Sequence, residues 1–177
     1  GGFVFSRGTG VTINPADGQA TYSGDYAALR DFQGNGGLEY VTGDVTMDID
    51  FSDFNDGYGI KGQVTNRQIF DAAGNNITGD IIAALTDIHP SNTALPVLRF
   101  TIGPGVMDVN GEINGTLGST MVKENGALGD YEKGKYYAVL SGAGADQEVV
   151  GVIVVTSEDP RYENVTARET GGFILYR

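Results

Sequence analysis

Asp44-Val45-Thr46-Met47-Asp48-Ile49-Asp50-Phe51 is the stretch that decides the fold. Successive side chains of an extended strand point to opposite faces, so Val45, Met47, Ile49 and Phe51 share one face and Thr46, Asp48 and Asp50 the other. One face is dry and the opposite face is charged. A helix would scatter the same residues around its circumference.

Seven further segments carry the same strand signature between turn-forming residues: 20–29, 58–67, 97–103, 111–119, 135–142, 148–157 and 170–176. Gly24, Gly62, Gly115 and Gly151 fall inside them. A flat strand loses stability at such a position, whereas a closed and tightly curved sheet uses it to bend and to relieve crowding. The expected fold is therefore all-β: an eight-stranded antiparallel up-and-down β-barrel whose interior is filled by side chains. Met47, Phe51, Phe100 and Tyr137 are the large residues expected to fill it.

One segment reads as helix. In residues 76–88, Ile77, Ile81, Ala84, Leu85 and Ile88 recur at helical spacing, Thr78 stands where a cap is needed, and His89-Pro90 ends the run. The expectation is a short helix across one barrel opening, with a strand over 77–86 as the alternative. Strands six to eight are apolar on both faces, through Tyr136-Tyr137-Ala138-Val139-Leu140, residues 149–155 and Phe173-Ile174-Leu175. Residues 1–17, which carry Phe3-Val4-Phe5 and Val11-Thr12-Ile13, are expected to pack on the outside of that wall as an N-terminal extension to a barrel domain of residues 18–177. A partner or a second domain would serve the same purpose, and so would self-assembly through these strands.

Composition narrows the chemistry. Among 177 residues there is no cysteine and one histidine, His89, which excludes disulfide frameworks, thiolate zinc sites and multi-histidine centres. A net charge of −12 repels phosphate backbones, so nucleic acid is not an expected partner. Asp48, Asp50, Asp53, Asn55 and Asp56 crowd together but lack the calcium-loop spacing; the first two read as a solvated strand face and the rest as a turn. Glu112, Glu124, Asp130 and Glu132 carry no spacing that fixes an acid/base pair. No cofactor and no catalytic residue are expected. The start at Gly1, without a preceding Met, reads as a processed end.

Three stretches resemble the C-terminal β-barrel domain of transferrin-binding protein B and related Gram-negative surface lipoproteins. They are the opening Ala20-Thr21-Tyr22-Ser23-Gly24-Asp25-Tyr26, the pair formed by residues 45–53 with Ile60-Lys61-Gly62-Gln63-Val64, and the hairpin of residues 136–152. In that hairpin an aromatic-rich strand turns at Gly144 and reaches Glu148 three residues before Gly151. Gly171-Gly172-Phe173 is similar to the family's closing strand, while Val139-Leu140 departs from its aromatic pair. The resemblance implies a non-catalytic binding protein at the outer membrane surface or in the periplasm. It also implies anchoring by a lipidated N-terminus outside this chain, and a protein or a metal- or haem-carrying nutrient as ligand. A structural subunit of an envelope assembly and a lipocalin-like small-ligand carrier are the alternatives. Rigid aromatics on loops suit such recognition, and Phe54, Tyr58, Tyr131 and Tyr162 are the candidate partner-binding residues.

Overall fold

The computed structural model describes residues 10, 11, 13, 16, 18–52, 59–101 and 105–177. Eight strands run β1 (Gln19–Gln33), β2 (Leu38–Asp50), β3 (Ile60–Phe70), β4 (Leu98–Phe100), β5 (Glu112–Val122), β6 (Leu128–Ser141), β7 (Glu148–Glu158) and β8 (Thr166–Tyr176). They pair in chain order and the last closes on the first, giving a closed barrel. Every pairing is antiparallel. The expected barrel is the one observed.

The alternation of residues 44–51 appears directly in burial. Val45, Met47, Ile49 and Phe51 are fully enclosed, while Asp48 is exposed and accepts the Thr21 hydroxyl at 2.6 Å. Asp50 accepts from Gln19 and from Ser52, so both acids serve the outer face as expected; Asp53, Asn55 and Asp56 lie outside the described residues.

Side chains fill the interior. Phe100 stacks on Tyr136 with ring centroids 4.4 Å apart, and Phe173 lies 6.5 Å from Phe100. Fully burying each such ring stabilises the fold by about 1.5–3 kcal/mol. A Cβ on Gly115 would stand 2.7 Å from the Tyr136 ring, so that glycine makes room for the ring rather than merely bending the strand. Tyr136, not Tyr137, is the filler here. Tyr137 faces outward at 37% exposure, because β6 places even-numbered residues inside at this point.

A helix, α1 (Thr78–Ile88), follows β3 and buries Ile81 and Leu85 in the barrel's own core cluster. It closes the end formed by the β1–β2, β3–β4, β5–β6 and β7–β8 connections. Thr78 does not cap it. The N-cap is Ile77, and the Thr78 hydroxyl instead accepts the Ile69 N–H at 2.8 Å, tying the helix start to β3. Asn92 fastens the other side: its amide donates to the carbonyls of Leu85 and Val122, and its oxygen accepts the Val122 N–H. Val11 and Ile13 pack against the interior cluster. The expectation for residues 1–17 otherwise falls largely outside the described residues.

Candidate functional site

Beneath α1 the inward-facing positions change from apolar to ionic. Arg30 on β1, Glu39 on β2, Arg67 on β3, Glu132 on β6 and Glu169 on β8 all point inward and are at most 7% exposed. Asp159 and Arg161, on the loop after β7, complete the layer. The Arg67 guanidinium reaches both oxygens of Glu132 at 2.7 and 2.8 Å, Glu169 at 3.3 Å and the Pro96 carbonyl at 2.9 Å. Arg30 donates to Glu39 at 2.9 Å, and Arg161 bridges Glu39 at 2.8 Å and Asp159 at 2.7 Å. Tyr26 donates its hydroxyl to Glu169 at 2.9 Å.

Backbone irregularities shape this layer, and one of them puts Arg67 inside. Thr42 pairs with Gln68 but Asp44 with Thr65, so Gly43 faces both Asn66 and Arg67 across a β-bulge. Asn66 adopts φ 51°, a left-handed conformation that asparagine tolerates, and its amide holds Asp44 at 2.7 Å. The extra residue turns Arg67 inward behind Val64, where strict alternation would point it to solvent. On β6 the same shift falls between Ser119 and Thr120, which pair with Glu132 and Asp130, and Tyr131 is the extra residue.

Burial works against the charge on Arg67, but Glu132 and Glu169 outweigh it and hold the guanidinium firmly protonated. Burial likewise opposes ionisation of Asp159, yet its hydrogen bonds from Arg161 and that cation's field keep the carboxyl below the ordinary aspartate range. Burial first, then the adjacent Glu169 carboxylate, raises the Tyr26 phenol well above its usual value.

Above the layer lies a cleft of about 780 Å³, framed by the end of α1, the β5–β6 turn and the β7–β8 loop. Tyr131, Lys133, Glu158, Arg161, Tyr162 and Glu163 are among its lining residues. The Arg161 guanidinium stands 5.3 Å from the Tyr162 ring centroid, a cation–π contact that fixes the ring's position. Tyr162 is half exposed on the β7–β8 loop, as expected.

Two of the four candidate aromatics therefore meet at one cleft. Tyr131 belongs to β6 rather than to a loop, because the bulge folds it down beside Glu132; burial pushes its phenol up. Phe54 and Tyr58 lie outside the described residues. Glu132, weighed as an acid/base candidate, is engaged by Arg67 and by the Ser119 hydroxyl, and Asp130 pairs with Lys133 at 2.8 Å. His89 accepts the Ser91 N–H at Nδ1, a local turn contact.

The sequence reading missed Arg30, Glu39, Arg67, Glu169 and Arg161. The signal was present for three of them: Ala28-x-Arg30, Glu39-x-Val41 and Glu169-x-Gly171-x-Phe173 continue the inward alternation of their strands. Chemically the cleft offers aromatic faces beside charges of both signs. Compared with family models, with curated proteins and with solved structures, the chain matches none of them.

Proposed function

We propose that this chain is a non-catalytic binding module of the bacterial cell surface or periplasm. It recognises a protein, or a nutrient-carrying ligand, at the helix-capped rim of a plugged barrel. The observation that carries the reading is the filled lumen: aromatic and aliphatic side chains occupy one length of it and the arginine–carboxylate layer the rest. A lipocalin-like carrier needs a hollow of at least about 300 Å³ inside the barrel. The aromatic stack of Phe100, Tyr136 and Phe173 stands where that hollow would be.

Recognition then falls to the outside, where the cleft sets Tyr131 and Tyr162 beside Lys133 and Arg161. Aromatic and arginine side chains dominate binding energy in protein interfaces. The resemblance to transferrin-binding protein B barrels supports the envelope location. The test is affinity capture from envelope or culture medium with the wild-type chain, Tyr162→Ala and Lys133→Glu. Both side chains are exposed and neither belongs to the buried layer. A partner retained by wild type and lost about tenfold or more in both variants supports the reading. Equal retention by all three, or turnover of any substrate, refutes it.

A further inference from the structure

The chain contains four Asn-Gly pairs, Asn35-Gly36, Asn110-Gly111, Asn114-Gly115 and Asn125-Gly126. Within such a pair the glycine nitrogen attacks the asparagine carboxamide carbon when the nitrogen is free and the two atoms are held close. The fold treats the four pairs differently.

Three of them are tied down. Gly111 donates its N–H to the Asp108 carbonyl at 3.0 Å, and Gly126 donates to the Lys123 carbonyl at 2.8 Å. Asn114 turns its N–H to Val106 at 2.9 Å, so Gly115, the next residue along β5, turns its own toward Tyr136 on β6. A nitrogen held in this way attacks only after the turn or strand opens.

Asn35-Gly36 stands apart. It lies in the connection between β1 and β2, where residues 34–37 are all exposed. Among the described residues the Gly36 N–H has a single partner, Oδ1 of Asn35 itself, at 2.9 Å. The carboxamide carbon is one bond of about 1.2 Å beyond that oxygen, which keeps nucleophile and electrophile within about 4 Å of each other in the folded state. The turn packs against the β7–β8 loop, since a Cβ on Gly34 would stand 2.6 Å from the Asn164 carbonyl oxygen.

We infer that Asn35 is a self-modifying site, converted in the folded protein to a mixture of aspartate and isoaspartate. The Gly36 nitrogen loses its proton to hydroxide and bonds to the Asn35 carboxamide carbon. The Cγ–Nδ2 bond breaks, and ammonia leaves with a proton taken from water. Water then opens the five-membered imide at either carbonyl. Opening at the side-chain carbonyl leaves aspartate; opening at the backbone carbonyl leaves isoaspartate, whose main chain is one methylene longer. Either product adds a negative charge to the turn beside the loop that carries Tyr162.

The test is prolonged incubation of the intact folded chain near pH 8, then digestion and mass spectrometry of the peptides with the two isomers separated. Replacing NH2 by OH adds about 1 Da. Asn35 is expected to gain it at least about tenfold faster than Asn110, Asn114 or Asn125, which wait on local opening. Gly36→Ala is the mechanistic control: a Cβ there meets no atom within 4 Å, and the backbone lies outside the left-handed region. Its circular dichroism spectrum is expected to be unchanged, while the added methyl crowds the attacking nitrogen and slows conversion at least about tenfold. In urea, where every pair is free, the four are expected to convert at similar rates. Conversion at Asn35 no faster than at Asn110 or Asn125 in the folded chain overturns the assignment. Aspartate without isoaspartate, or an undiminished rate in Gly36→Ala, overturns the cyclic route.

Discussion

Replacing Arg67 by methionine removes the cation that joins Glu132 to Glu169 while keeping most of the side-chain volume. Glu132 then retains the Ser119 hydroxyl, and Glu169 retains Tyr26 and a 4.0 Å approach from Arg30. Two carboxylates at 6% and 3% exposure lose their closest counter-charge. Breaking a buried pair from one side costs about 3–5 kcal/mol, because the partner's desolvation is no longer offset. For a chain of this size that lowers the melting temperature by roughly 6–20 °C, at about 2–4 °C per kcal/mol. Urea unfolding of wild type, Arg67→Met, Glu132→Leu and the double variant completes a cycle. The double variant leaves only Glu169 to be neutralised, and Arg30 is near it, so it is expected to be more stable than Arg67→Met alone. A single-variant cost under about 1 kcal/mol, or strictly additive costs, would refute the view that this layer acts as one paired unit.

Three further outcomes follow from the same geometry. Asp159 has a depressed folded-state pKa, so its stabilisation is complete above the unfolded value of about 3.9 and is lost as pH falls through the lower folded value; urea midpoints measured downward from about pH 6 should fall more steeply below about pH 4 in wild type than in Asp159→Asn, and parallel curves would contradict this. Asn66 sits at φ 51° in the bulge that turns Arg67 inward, so Asn66→Ala should cost roughly 1–2 kcal/mol and Asn66→Gly clearly less; a thermal melt in which alanine equals glycine removes the argument. The Tyr136 hydroxyl is buried without a hydrogen-bond partner among the described residues, so Tyr136→Phe should raise stability by about 1 kcal/mol; a loss instead, by denaturant titration, would mean the hydroxyl is satisfied.

The barrel was legible because its middle is simple. From Val45 to Phe51 the inward residues are all apolar, and period-two patterning identifies them without further help. Legibility failed toward the helix-capped end. There β1 continues past Leu29 to Gln33, and β2 begins at Leu38 instead of Asp44, because the inward residues are Arg30 and Glu39. A charged residue on the dry face looks like the end of a strand. β6 begins at Leu128, seven residues before the pattern suggests, since Glu132 faces inward and the bulge at Tyr131 breaks the period. That break in the period is what makes Tyr131 read as a loop residue. Register, rather than local pattern, brings Tyr131 and Tyr162 to one cleft, and no single strand encodes it.

An apolar filling would stabilise that end at least as well as ions do, since well-packed hydrophobic side chains often replace a buried ion pair at no loss. What the ions add is selectivity among registers. Slipping any strand by one residue exchanges its inner and outer faces. In an all-aliphatic layer a slipped strand on the doubly apolar β6–β8 wall would find nearly equivalent neighbours. With Arg30, Arg67 and three glutamates pointing in from five strands, a slip strands a charge against an aliphatic face and exposes its partners. The same layer reaches out of the sheet through Arg161, which Glu39 and Asp159 hold from below while its upper side meets the Tyr162 ring. The position of the exposed aromatic is thus tied, through Arg161, to the register of the strands that carry Glu39 and the rest of the layer.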